Sequence, residues 1–164
     1  MRKNAQTALA GILILCTLAS IGCSNIRSPR FETLGVREIE RTDTRTVYAF
    51  VVKATNPNKE PIPLREVAYT VTLDGNHSFS GVRSPETTLH TYGNHTFELP
   101  AVFEIGPGEL SGIIDYTLDG TAKYLKPGKL AEVMFDSKVS VPKAGFYLRG
   151  QVNVDQPESV ESID

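Results

Sequence analysis

Apolar and polar residues alternate along most of the chain with a period of two, which is typical of half-buried β-strands. In the clearest stretch, the set expected to face a core is Val67, Tyr69, Val71 and Leu73, and the opposite set is Ala68, Thr70 and Thr72. Asp74-Gly75 follows at once, and this pair suits a tight hairpin that needs positive φ. A return strand is expected over His77–Val82, with Phe79 facing inward and Gly81 marking a bulge or a close backbone approach.

Other stretches supply further strands. Thr46–Ala54 is apolar on both faces, which favours a strand in the middle of a sheet, and Asn56-Pro57-Asn58 ends it in a turn. The remaining expected strands are a short run to Tyr92, His95–Ile105 with an interruption at Pro100, Ile114–Leu118 with a second hairpin at Asp119-Gly120, Leu130–Val141, and Gly145–Val154. About eight short strands separated by turn residues predict an all-β fold, an antiparallel β-sandwich of about seven to eight strands.

The beginning of the chain has a different pattern. A basic start, Met1–Asn4, precedes the uncharged apolar run Ala8–Leu18. Its eleven residues match the apolar region of a signal peptide, whereas a membrane-spanning helix needs about 20. The run ends in Ala19-Ser20-Ile21-Gly22-Cys23, which resembles the bacterial lipobox, although Ser20 stands where Leu, Val or Ile is usual. An uncleaved anchor, or an ordinary leader cut near Gly22, are the alternatives.

The lipobox resemblance implies that Cys23 is the lipidated first residue of the mature protein. The chain has two cysteines, and Cys16 would leave with the leader, so no intramolecular disulfide is possible in the mature part. The acyl chains of that class would make attachment effectively permanent. The expected organisation is a signal peptide over 1–22, a lipidated tether over 23–30, one domain over 31–155 and an acidic disordered tail over 156–164.

The net charge of the chain narrows the kinds of partner that are expected. The formal net charge is −2, and removal of Arg2 and Lys3 with the leader makes it −4. A mildly acidic domain with no stripe of Lys or Arg argues against nucleic acid as a partner.

Candidate catalytic and metal-binding residues do not form a known arrangement. Gly108–Gly112 resembles a nucleophile elbow but has one residue too many between glycine and Ser111. His77, His90 and His95 could in principle hold zinc, but His90 and His95 flank the expected Gly93-Asn94 turn, which favours surface histidines. The sequence therefore predicts no catalytic residues, no metal, no cofactor and no enzymatic activity.

Several segments, in their order and spacing, resemble a known family. They are the strand before Asn56-Pro57-Asn58, Pro61–Leu64, Val67–Gly75, Gly81, Thr88-Leu89, Phe97–Pro100, Tyr116–Gly120 and Val139–Pro142. Together they resemble the group 2 late embryogenesis abundant domain, also called the water stress and hypersensitive response (WHy) domain, over roughly 31–154. The resemblance implies a sandwich of the immunoglobulin or fibronectin type III kind, a link to desiccation, osmotic or cold stress, and no agreed catalytic residues.

Two functions follow as hypotheses. The first is a membrane-anchored, non-enzymatic module that protects client proteins under stress or binds them. The alternative is an envelope scaffold or assembly accessory lipoprotein that binds a protein partner through an exposed sheet edge, because sandwiches leave strand edges open. Both place the protein in the cell envelope, attached to a membrane through its lipid anchor, at the outer membrane or facing the periplasm.

Overall fold

The structure, a computed structural model, describes residues 26–106 and 108–155. The expected signal peptide, Cys23 and the expected acidic tail lie outside these residues. The elements in chain order are β1 (Arg30–Arg41), β2 (Thr46–Thr55), β3 (Ile62–Leu73), β4 (His77–Arg83), β5 (Thr88–Leu89), β6 (Asn94–Phe103), β7 (Ile113–Tyr124), α1 (Lys129–Asp136) and β8 (Lys143–Asn153).

The strands form two antiparallel sheets that pack face to face. The first sheet has the order β1-β2-β6, and the second has the order β4-β3-β7-β8 with the short β5 paired to β3. The edge strands of the two sheets lie next to each other, β1 beside β8 and β4 beside β6. The expected all-β antiparallel sandwich of seven to eight strands is confirmed.

The core consists of the inward-facing residues of both sheets, and it follows the period of two. In β3, Val67, Val71 and Leu73 are fully buried and Tyr69 is nearly so, while Ala68 on the opposite face is exposed. The largest fully buried side chains in the described residues are Tyr48, Phe50, Ile62, Leu64, Leu73, Leu89, Leu99 and Leu118. Strand β2, expected to be central, lies between β1 and β6 and buries Ala49 and Val51 on its outer face as well.

One of the two expected hairpins is present, and the other prediction is wrong. Asp74 and Gly75 turn β3 into β4 with φ of 49° and 70°, the positive values that this pair tolerates. Asp119 and Gly120 instead lie within β7, paired with β3 on one side and β8 on the other. A Cβ atom at Gly120 would overlap the ring of Phe146, so the glycine allows a close cross-strand approach and does not form a turn.

The expected strand over Leu130–Val141 is also wrong, because Lys129–Asp136 forms helix α1. Pro127-Gly128 ends the preceding segment, and the helix itself consists mainly of good helix formers with Val133 as its one β-branched residue. Its apolar residues Leu130, Val133 and Met134 follow the i, i+3, i+4 spacing of an amphipathic helix.

Two further strands differ from expectation. β6 runs through Pro100 without interruption, because β6 is an edge strand and needs to pair on one side only. β1 was not predicted as a strand. Its pairing with β2 shifts register between Thr33 and Gly35 and again between Glu38 and Glu40, and these irregularities break the alternation that would reveal it.

Candidate functional surfaces

The residues considered for catalysis or metal binding do not form a site. His77 pairs with Leu73, whereas His95 pairs with Ala54 near the opposite end of the sandwich, so these two histidines are not brought together. Over 26–106 and 108–155, no group of three His, Cys, Asp or Glu side chains could hold a metal ion. Nor does that part of the chain contain a helix that is long and apolar enough to cross a bilayer.

The segment that resembles a nucleophile elbow belongs to the loop between β6 and β7. Its polar groups make structural hydrogen bonds: Glu109 accepts from the backbone N–H of Gly106 at 3.1 Å, and the N–H of Gly112 donates to Asp155 at 2.8 Å. Ser111 therefore lies in an exposed connection and not at the strand-to-helix turn that activates a serine.

The inner faces of the sheets are filled by aromatic side chains that lie against glycines. On the second sheet, the rings of Tyr69, Phe146 and Tyr116 lie where a Cβ atom of Gly81, Gly120 or Gly150 would be. The bulge or close backbone approach expected at Gly81 is not found, because β3 and β4 pair there in regular register and the atoms nearest a Cβ position belong to the side chains of Tyr69 and Phe79. Each ring uses the space left by the missing side chain.

Buried tyrosine hydroxyls act as structural donors. The hydroxyl of Tyr69 donates to the carbonyl oxygen of Pro100 at 2.6 Å and so links the two sheets. Burial raises the pKa of Tyr69 above its ordinary value, and the nearby Arg83 opposes the shift. Burial likewise raises the pKa of Tyr116. A buried hydroxyl with a raised pKa keeps its proton near neutral pH and so remains a hydrogen-bond donor.

A polar clamp ties several loops together at one end of the sandwich. Buried Asn56 donates from Nδ2 to the carbonyl oxygens of Glu60, Leu89 and His90 at 2.8, 3.2 and 3.0 Å. Its Oδ1 accepts from the backbone N–H of Asn58 at 2.9 Å. The sequence indicated only a turn here. The clamp could not be inferred, because its partners Leu89 and His90 are more than thirty residues away.

The same clamp holds the start of the described chain. Asn58 accepts from the backbone N–H of Arg27 and donates to its carbonyl oxygen, both at 2.8 Å. Ser28 Oγ lies 3.2 Å from the hydroxyl of Tyr124, the last residue of β7. We call this the N-terminal end of the sandwich. It consists of residues 26–29, the loop 56–61, the turn 90–93 and the segment 125–142; the opposite end is the far end.

Two of the larger clefts on the described surface are open to solvent. One of about 750 Å³ lies between β1 and β8, lined by Glu32–Val36, Tyr116 and Tyr147–Asn153. Another of about 750 Å³ lies beside α1 and is lined by Arg65, Glu66, Lys123, Phe135, Lys138 and Lys143, among others. Both clefts mix polar or charged residues with apolar ones, so neither has the mainly apolar lining that is typical of a small-molecule pocket.

Proteins of known structure share the fold of this chain. Solution structures with the same fold include At2g46140.1, described as a late embryogenesis abundant (LEA) protein, and AT1g01470 from Arabidopsis thaliana. The first is 16% identical to this chain, with a TM-score of 0.55, and the match covers 93% of this chain and 86% of the other. The second is 14% identical, with a TM-score of 0.57, and the match covers 82% of this chain and 89% of the other. At such identities the likeness shows the fold alone.

No curated protein sequence matches the chain. A family model does: the one described as Late embryogenesis abundant protein matches residues 51–139, more than half of the chain. That family is associated with stress and is generally non-enzymatic. The matched region runs from the middle of β2 through α1, so it includes the Asn56 clamp, all of the second sheet except β8, and most of the core. The chain belongs to the late embryogenesis abundant protein family.

Proposed function

We propose that the protein is a membrane-anchored, non-enzymatic stress-protection module of the group 2 (WHy) type, lipidated at Cys23 and exposed in the cell envelope. The observation that carries the proposal is the family match over residues 51–139. The buried core between the sheets supports it, because side chains from both sheets pack together there and leave the outer surface of the described sandwich for interactions. Shielding of client proteins from drying or freezing would come from that surface as a whole.

The protection test mixes the chain from residue 23 onward, with Cys23→Ser, with a labile reporter enzyme before freezing or drying. The core of the described sandwich is built within residues 26–155, so this truncation removes none of it. Retained reporter activity should exceed that obtained with an equal mass of an unrelated β-sandwich. Matching curves for the two proteins would contradict the protection hypothesis.

The anchoring part of the proposal is tested separately. In cells, Cys23→Ala should leave an unprocessed precursor and abolish labelling with a radioactive or clickable fatty acid. Acyl labelling that persists in this variant would contradict lipidation at Cys23, whatever the outcome of the protection test.

The alternative, an envelope scaffold that pairs through a sheet edge, is supported by one feature of the second sheet. Its edge strand β4 is short, pairs with β3 on one side, and exposes two thirds of Val82. An open edge of this kind can accept a strand from another protein. Recovery of one defined envelope partner from unstressed cells, lost with Val82→Lys, would favour the scaffold over the protection module.

A further inference from the structure

The described chain starts at the N-terminal end of the sandwich, and its position there is fixed. Arg27 makes two backbone hydrogen bonds to the side chain of Asn58, and Ser28 lies at hydrogen-bond distance from Tyr124. Ile26 packs against the core. Cys23 precedes Ile26 by only three residues, which can span at most about 11 Å when fully extended. An acyl group on Cys23 would therefore hold this end of the domain close to the bilayer.

The segment 125–142, which includes α1, lies at the same end. It leaves β7 at Leu125, whose N–H donates to the carbonyl oxygen of Pro63 at 3.0 Å. It returns at Pro142, whose carbonyl oxygen accepts from the N–H of Tyr124 at 3.1 Å. The segment therefore leaves the second sheet and rejoins it at the same end. That end lies beside Ser28, close in the chain to Cys23.

Apolar side chains are exposed on this end. Val133 on α1 and Val139 after it are 62% and 73% exposed, and Tyr92 in the neighbouring turn is 62% exposed. Tyr92 is held there by a hydrogen bond from its backbone N–H to the carbonyl oxygen of Asn58 at 3.0 Å. Exposed aliphatic residues with a nearby tyrosine, here Val133, Val139 and Tyr92, are the composition found at membrane–water interfaces.

The charge of the segment also differs from that of the chain. Residues 125–142 contain three lysines and two carboxylates, and Lys123 and Lys143 flank them, although the whole chain has a net charge of −2. Lys123 pairs with Glu66, whereas Lys126, Lys129, Lys138 and Lys143 form no ion pair with the described residues. Unpaired lysines beside exposed apolar residues suit a surface that is both anionic and apolar. Each lysine near such a bilayer raises partitioning roughly fivefold.

We propose that the N-terminal end of the sandwich lies flat on an anionic lipid bilayer, with Val133 and Val139 in the interface and the lysines of 126–143 on the headgroups. This inference rests on the proposed lipid anchor for its biological setting, but the surface can be tested without it. The bilayer then fixes the orientation of the whole domain. The far end, with the turns 42–45 and 74–76 and the loop 104–112, points away from the membrane.

The test uses the chain from residue 23 onward, without acylation, and vesicles of phosphatidylcholine with or without 30% phosphatidylglycerol. Co-sedimentation should be stronger with the anionic vesicles and should fall as salt rises. Lys129→Gln combined with Lys138→Gln should lower partitioning at least tenfold, and Val133→Ser with Val139→Ser should lower it several-fold. The matched control changes the far end, with Arg45→Gln and Ile113→Ser, since Ile113 is 67% exposed and Arg45 is also exposed; it should bind like the parent.

A second measurement does not depend on the affinity of the free chain. The same chain is coupled through Cys23 to a thiol-reactive lipid in each type of vesicle, and backbone hydrogen exchange is followed. Exchange in 129–141 should slow on anionic relative to neutral vesicles, and exchange in 104–112 should not change. Equal exchange in both vesicles, or equal loss of binding in the far-end control, would overturn the proposed surface. Acyl labelling at Cys23 would be unaffected by that result, so failure of the surface and failure of the anchor are distinguishable.

Discussion

At the scale of single residues, the pairing of aromatic rings with glycines explains why the inner face of the second sheet is well filled. Gly120 lies opposite Phe146 in the register of β7 and β8, and Gly150 lies opposite Tyr116. The rings occupy the space that a Cβ atom would take. From the sequence, these glycines were expected to form a turn or went unremarked, because the partner ring is remote in the chain and only the strand register brings the two together.

Gly120→Ala should therefore destabilise the protein by about 1–3 kcal/mol, the usual range for overpacking a filled core. Gly145→Ala is the matched control, because its nearest neighbour would be the carbonyl oxygen of Gly120 at an ordinary 3.9 Å. Urea denaturation measures both changes. A similar, small decrease in the free energy of unfolding for both variants would contradict this prediction, because it would show that Phe146 can move aside without cost.

The Asn56 clamp gives a second prediction at this scale. Asn56→Ala leaves three carbonyl oxygens near the core without their donor, and the free energy of unfolding should fall by about 1–3 kcal/mol. Asn76→Ala is the control, because exposed Asn76 donates from its side chain to one carbonyl oxygen, that of Asp74, at 3.1 Å. The midpoint of thermal unfolding should be clearly lower for Asn56→Ala than for Asn76→Ala. Equal midpoints would contradict the stabilising role assigned to the Asn56 hydrogen bonds.

The tyrosines predict how stability depends on pH. Burial raises the folded-state pKa of Tyr69 and Tyr116 above the ordinary value of 10.0. The unfolded chain then releases these protons first as pH rises. Stability is therefore complete below about pH 10 and is lost as pH increases toward the folded-state values. Tyr69→Phe should flatten this decline between about pH 9 and 11, and urea denaturation across that range measures the change.

At the scale of elements, the period of two identified the strands that pair regularly and failed where pairing is irregular. β2, β3 and β8 were expected within a few residues at one end or the other, because β3 and β8 alternate against the core and β2 is a continuous apolar run between turn residues. β1 was missed because two register shifts break its alternation. α1 was taken for a strand because its short apolar run fits either period, and its helical spacing extends over only eight residues.

The described side chains of helix α1 contribute surface rather than core, which leads to a prediction for this element. Neither Lys129 nor any residue of 131–136 belongs to the buried core cluster. Replacement of residues 127–141 by a short glycine-rich loop should therefore leave the sandwich folded, with an unfolding midpoint close to the parent. Loss of cooperative unfolding in that variant, followed by circular dichroism, would mean that the helix is needed to close the end of the second sheet.

At the scale of the whole molecule, the sequence was sufficient for the fold class and insufficient for the surfaces. Alternation and turn residues establish which side chains enter the core. The N-terminal end is assembled from Arg27, Asn58, Tyr92 and the segment 125–142, which meet only in the folded chain. The proposed protection by the surface as a whole requires the folded domain, and this dependence separates it from protection by an unfolded chain.

The most direct test of this account measures how protection of a dried reporter enzyme depends on the folded fraction of the domain. Leu73 is fully buried, so Leu73→Ala should lower the free energy of unfolding by about 2–5 kcal/mol. Thr72→Ser keeps the hydroxyl that pairs with Ser78 at 2.9 Å and should change stability little. The account predicts that Thr72→Ser protects as well as the parent and that protection by Leu73→Ala falls in step with its folded fraction. Undiminished protection by a largely unfolded Leu73→Ala chain would contradict it.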